Sequence, residues 1–247
     1  MRPSPEAPAA LRLLDAGEAA LVAEFGDRVD PVLNDRVLAL DTALAARDLP
    51  GVRESVPTYR SLMIHYDPLV IDRATLAAEV TKLARTVRGT ERRGALWTIP
   101  CCYDPVYGED IAAVAAATGL TPDEVVKLHS GARYRLYMYG FAPGYCYLGG
   151  LPKQLAVPRR VKPRPPHPPN VIMIGGGLTS IASVSMPTGW WLLGRTPETM
   201  FSLTRDPPVL LAVGDELTFE PIDRATFLAL EARAAAGEVI ARREGGA

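Results

Sequence analysis

Nine basic side chains and no acidic one lie between Glu124 and Glu198: Lys127, Arg133, Arg135, Lys153, Arg159, Arg160, Lys162, Arg164 and Arg195. At the chain's mean acidic frequency roughly eight carboxylates are expected in such a span, so positive charge is concentrated there. Three of the arginines fall within PRRVKPR at 158–164, and prolines at 158, 163, 165, 166, 168 and 169 stiffen the run. A guanidinium grips carboxylate or phosphate through two parallel hydrogen bonds and does not titrate, so the pattern predicts an anion site. The competing reading is a solvated basic loop that pairs with acids of the N-terminal half.

The segment GFAPGYCYLGGLP at 140–152 is rich in glycine and aromatic rings and carries no charge. It either closes over something flat or packs as a set of crowded turns. The lack of acids excludes paired-carboxylate catalysis within the span, and a magnesium ion held by the span's own acids. Titratable candidates near neutrality reduce to His129, His167 and Cys146. His129 is the candidate for proton transfer, or a helix-end residue whose charge favours the dipole. GGGLTS at 175–180 either offers backbone N–H groups to a phosphate or turns tightly between strands, and neither G-x-x-x-x-G-K-[ST] nor G-x-G-x-x-G is present. Cys101, Cys102 and Cys146 make no disulfide framework and no C-x-x-C metal site, and read as small buried thiols.

The elements that must position these residues divide into two textures. At 247 residues the chain suggests two domains, divided here as 1–90 and 91–247. Segment 19–25 reads as a strand, and Val32, Val37, Leu40 and Leu44 mark a helix after Asp30-Pro31. A strand pair follows in 52–66, then a helix carrying Leu76, Val80, Leu83 and Val87. With the strand-like LWTIPCCY of 96–103, this alternation predicts a small ferredoxin-like α+β unit, and RGTERRG at 88–94 is the linker candidate. Beyond it, residues 109–117 form a helix, and Thr121-Pro122-Asp123-Glu124 is a capping box that opens another. Tyr134, Leu136 and Met138 alternate with Arg135, Tyr137 and Tyr139 along a strand. Short strands at 171–174, 190–193 and 209–219, separated by glycine and proline turns, predict a β-barrel or sandwich, closed by a helix over 223–236. The 27 basic and 28 acidic residues nearly cancel, so bulk charge calls for neither nucleic acid nor a membrane surface. No run approaches the ~20 apolar residues of a membrane helix, and the expected location is cytoplasmic.

GFAPGYCYLGGLP, PRRVKPR, GGGLTSI, MPTGWWLLGRTP and LLAVGDELTFEPI, with VAEFGDRVDP and VPTYRSLMIHYDP before them, resemble the successive blocks of one family. It is the family of the B-type 5-oxoprolinase subunits, allophanate hydrolase subunit 1 and sporulation-kinase inhibitors. The resemblance implies an α+β class chain, a small N-terminal α+β domain followed by a cyclophilin-like β-barrel domain. It implies a companion, a related cyclophilin-like protein of the C-type 5-oxoprolinase kind, and a small anionic amide or lactam substrate. The activity implied is ATP-dependent lactam opening, with magnesium held by the partner, or biotin-linked carboxyl transfer to urea; some members instead bind and inhibit a sensor histidine kinase, and a third expectation is a diverged member with a different small-molecule substrate. Carried over by position, the catalytic residues are His129 and Arg160. The substrate-binding residues are Phe141, Pro143, Gly144, Tyr147, Arg159, Arg164, Thr179, Trp190, Arg195 and Thr196, with Gly189 among the motif positions. This chain departs from the pattern at Leu178, where a glutamine is usual, at Ala182-Ser183, where Tyr-Pro is usual, and at Thr188-Gly189. Pro168-Pro169-Asn170-Val171 replaces a proline-alanine-glycine-serine turn.

Overall fold

The computed structural model describes residues 11–87 and 94–244. The chain forms two compact units, residues 1–92 and 93–247. Of the linker candidate, residues 88–93 lie outside the described residues.

In the first unit, strands β1 (Arg12–Asp15), β2 (Ala20–Glu24), β3 (Val52–Pro57) and β4 (Ser61–Tyr66) form an antiparallel sheet in the order β1-β2-β4-β3. Helix α1 (Pro31–Arg47) starts where expected, with the Asp30 carboxylate accepting from the backbone N–H of Val32 and Leu33 and proline at the first turn. Asp72 caps α2 (Arg73–Thr86) through Thr75. Val37, Leu40 and Leu44 from α1 meet Leu76 and Val80 from α2 and Leu21, Leu62 and Ile64 of the sheet in one core. Val32 is exposed, and Leu33 takes its place on the buried face. The ferredoxin-like order has one change: β1 fills the edge beside β2, and the strand expected to end this unit belongs to the second.

In the second unit, β5 (Leu96–Cys102), β6 (Tyr134–Tyr139), β7 (Cys146–Gly149), β8 (Val171–Gly175), β9 (Leu178–Ala182), β10 (Trp191–Arg195) and β11 (Glu216–Ile222) close into a barrel. The ring order is β10-β8-β9-β7-β6-β11-β5, shut where Arg195 of β10 pairs Cys102 of β5. β5 and β11 run parallel, and β12 (Arg242–Glu244) adds to β5 from outside the ring. This is the cyclophilin-like barrel, and closing it leaves no unpaired sheet edge within the ring. Its interior holds Ile99, Cys101, Tyr134, Leu136, Cys146, Leu148, Ile172, Ile181, Leu217 and Phe219. The alternation along β6 breaks at a register shift between Leu136 and Met138. Past it Tyr139 joins the side of Tyr134 and Leu136, with its hydroxyl donating to the Leu211 carbonyl at 2.7 Å, contrary to the expected alternation.

Helices α3 (Ile111–Thr118) and α4 (Pro122–Ser130) pack with Leu155 and Val157 against Ile174 and Leu193 of the barrel. The Thr121–Glu124 capping box is present in both directions. Helix α5 (Arg224–Ala235) is capped by Asp223. Among the described residues no helix is long and apolar enough to cross a membrane.

Candidate functional site

The barrel strands alternate between an inner and an outer face, and the aromatic loop supplies both. Cys146 and Leu148 point into the interior core. Tyr145 and Tyr147 join Met173, Ala182, Trp190 and Leu192 in a separate cluster on the other face. Over that cluster lies a cleft of about 160 Å³ whose lining includes Phe141, Tyr145, Tyr147, Arg159, Thr188 and Trp190.

Its rings are mutually tilted: Tyr145 and Tyr147 centroids lie 4.9 Å apart, and Tyr147 and Trp190 6.3 Å apart in an edge-on arrangement. Trp190 is only 6% exposed, whereas Phe141 is 80% exposed and sits at the lip in a left-handed backbone conformation, φ 69°. The turn that presents Phe141 depends on Gly144, whose φ is +68° and where a Cβ would lie 2.6 Å from the Cβ of Phe201. The Ser183 hydroxyl donates to the Pro143 carbonyl and ties the same turn to the end of β9. Pro143 and Gly144 therefore serve the shape of the loop.

Arg159 is exposed and stacks over Trp190, its guanidinium carbon 5.2 Å from the ring centroid. Among the described residues it has no hydrogen-bonding or ion-pairing partner. Stacking occupies the flat face of a guanidinium and leaves its in-plane N–H fork free. Burial raises the pKa values of both cleft tyrosines, Tyr145 to about 12, and the nearby Arg159 charge pulls each back. Both phenols are neutral at physiological pH. The Tyr145 hydroxyl donates to Ser180 Oγ at 3.0 Å.

The other arginines are placed differently. Arg160 and Arg164 both donate to the Asp110 carboxylate, Nη1 to Oδ1 and Nη1 to Oδ2, each at 2.9 Å, and Arg164 also pairs with Glu109. Arg195 pairs with Glu231 at 2.9 Å, donates to the Pro169 carbonyl, and lies against the rings of Tyr107 and Phe227. The expectation of one convergent set of unpaired arginines does not hold, because carboxylates outside the acid-free span, Glu109 and Asp110 before it and Glu231 after it, reach back into it. Sequence reasoning passed over Asp110. Its signal was the Glu109-Asp110 pair at the start of the expected helix.

His129 is corrected as a proton-transfer group. It is fully buried, with Nδ1 2.8 Å from the Tyr103 hydroxyl and its ring stacked 5.0 Å from Phe219. Burial lowers its pKa to about 3, so the imidazole is neutral and out of solvent's reach. Thr179 is fully buried on β9, and Thr196 is buried with its hydroxyl accepting from the Glu198 N–H. Neither reaches the cleft. Cys146 is sealed in the core, its thiol pushed up to about 12 by burial. The GGGLTS segment is a hairpin turn: Gly176 and Gly177 take φ 59° and 79° between β8 and β9, with Gly175 paired to Leu178. Its Gly176 N–H donates to the Val157 carbonyl at 2.9 Å. Among the described residues no group of His, Cys, Asp or Glu side chains is arranged to hold a metal ion.

Of the expected binding residues, the fold therefore brings together Phe141, Tyr147, Arg159 and Trp190, and adds Tyr145, Thr188 and the motif glycine Gly189. Three departures from the family pattern lie around this cleft. Thr188 lines it and accepts from the Trp190 N–H at 3.1 Å, while Leu178 and Ala182 pack in the cluster beneath.

Residues 11–211 match the family model described as carboxyltransferase domain, subdomain C and D. The chain is 32% identical to the B-type 5-oxoprolinase subunit of Bacillus subtilis (strain 168), over 85% of this chain and 92% of that protein. It is 36% identical to the protein of the same name from Escherichia coli O157:H7, over 83% and 93%. The crystal structure of TTHA0988 superposes with a TM-score of 0.73 at 33% identity, covering 83% of this chain. This chain spans only 40% of the length of TTHA0988.

Proposed function

The chain belongs to the carboxyltransferase-domain family, subdomains C and D, and on that premise we propose that it is one component of an ATP-linked, 5-oxoprolinase-like enzyme. In this reading it works with a cyclophilin-like companion of the C-type 5-oxoprolinase kind on a small anionic lactam or amide, in the cytoplasm. The observation that carries the reading is the unpaired Arg159 fork above an aromatic cleft of about 160 Å³. That volume suits a five-membered ring with one carboxylate and is well below the roughly 300–1,000 Å³ of sites for larger ligands.

The steps assigned to this chain are binding and orientation. Arg159, seated on Trp190, holds the carboxylate by a charge-assisted fork, and Tyr147 lies beside the ring. Phe141, at the lip, excludes water when a ligand is seated. The two features of this chain that the sequence offered to a phosphate are engaged otherwise: the glycine turn is a hairpin, and Arg160 and Arg164 already hold a carboxylate. The nucleotide and its magnesium are therefore assigned to the companion, as biotin would be in a carboxyltransferase-like variant. The test is to purify this chain with its companion and measure 5-oxoproline-dependent ATP hydrolysis. Turnover is expected from the pair and not from this chain alone, and a pair without it contradicts the substrate assigned.

A second reading has its own support. Phe141 and Val161 are 80% and 98% exposed, and three of the four arginines are already paired, which suits a surface that docks on a sensor histidine kinase. Suppression of kinase autophosphorylation by this chain, with no substrate-dependent hydrolysis, would select it.

A further inference from the structure

Asp110 stands at the N-cap of α3 and makes no capping hydrogen bond. Aspartate at that position ordinarily satisfies the helix's own N–H groups, so its carboxylate is engaged elsewhere at a local cost. It is 8% exposed and accepts three hydrogen bonds, each 2.9 Å long: Arg160 Nη1 on Oδ1, and Arg164 Nη1 and the Leu192 N–H on Oδ2. One buried carboxylate thus joins the start of α3, strand β10 and both flanks of the basic segment.

Between those flanks the segment has no regular structure of its own. It is held along its length by Trp191 Nε1 donating to the Pro158 carbonyl, the Arg160 N–H to the Gly189 carbonyl, and the Arg164 N–H to the Thr188 carbonyl, each at 2.8 Å. Arg159 lies between the first two anchors, and β10 begins one residue after the Trp190 ring on which it stacks. The clasp therefore fixes both halves of the stacked pair, the arginine through Arg160 and the indole through Leu192.

We infer that Asp110 is a positioning residue for anion recognition: by clasping Arg160 and Arg164 and anchoring β10, it sets the Arg159 guanidinium over Trp190 with its fork toward the cleft. The inference rests on the reading of that cleft as the ligand site. It assigns Arg160 and Arg164 to the support of Arg159 and removes them from direct contact with the anion.

The experiment has two readouts on the full chain, wild type and the variants Asp110→Asn, Arg159→Ala and their double. The first needs no ligand: the Trp190 indole N–H resonance, identified by Trp190→Phe. It is expected to move in Asp110→Asn as it moves in Arg159→Ala, with no further movement in the double variant. The second is turnover with the companion: Asp110→Asn is expected to raise KM for 5-oxoproline about tenfold with kcat within about twofold, and to add nothing in the Arg159→Ala background. Should Asp110→Asn fail to fold, Arg160→Gln replaces it, since Asp110 then keeps Arg164 and the Leu192 N–H. A Trp190 resonance unmoved in Asp110→Asn but moved in Arg159→Ala overturns the inference, as does a KM increase of equal factor with and without Arg159. A wild-type complex with no 5-oxoproline-dependent turnover rejects the substrate reading instead, and the resonance then decides the positioning claim alone.

Discussion

The cleft and the barrel interior are built from similar side chains and have opposite chemistry. Both combine tyrosines with a second kind of ring, Trp190 in the cleft and His129 with Phe219 inside. In the interior the titratable group is fully buried and made neutral by desolvation, with its Nδ1 against the Tyr103 hydroxyl. In the cleft the polar group is an exposed guanidinium, held by stacking alone, whose donors have no partner among the described residues. The difference shows that residue type is a poor guide to reactivity here; what separates the two regions is whether a charge has been left for a ligand to meet.

The largest expected effect tests the interior half of this contrast. The folded pKa of His129, about 3, lies below its unfolded value of 6.5, so the unfolded state binds a proton more readily between those limits. The stability tied to this group is fully present above pH 6.5 and is lost as pH falls toward 3, by about 3–5 kcal/mol in all. Urea unfolding of wild type and His129→Asn at pH 7, 5 and 4 measures it. The variant should lose less stability on acidification while keeping turnover within about twofold, and equal acid slopes would break the contrast. Next in size, Arg160→Ala leaves one oxygen of the buried Asp110 carboxylate without its partner and should cost about 1–3 kcal/mol of unfolding free energy, read from the denaturant midpoint. The smallest effect belongs to the lip: Phe141→Ala, at an 80% exposed site, should change stability by less than about 0.5 kcal/mol while weakening ligand binding about threefold, measured by calorimetry.

What could be read from the sequence was local. The Thr121–Glu124 box with its proline at 122, and the helix start after Asp30-Pro31, rest on groups within one turn of each other, and each is present as expected. Strand partnership was harder, because pairing is settled by residues far along the chain. LWTIPCC alternates equally well in either unit, and only its parallel register with Glu216–Ile222 places it in the barrel. The inward turn of Tyr139 follows from a register shift that no periodicity reveals. The acid-free span was a true compositional feature, yet Asp110 lies 50 and 54 residues from the arginines it holds. Barrel closure brings Trp191 and Arg160 beside α3, and neutralises charge that composition alone presented as free.

The central claim is that Arg159, and not the neighbouring paired arginines, meets the anion. It is tested most directly by comparing Arg159→Ala with Arg195→Ala in 5-oxoproline-dependent ATP hydrolysis by the assembled complex. The account predicts a KM at least about tenfold higher for Arg159→Ala, from loss of a charge-assisted hydrogen bond, and a KM within about twofold of wild type for Arg195→Ala. An unchanged KM in Arg159→Ala, or an equal rise in both variants, would contradict it.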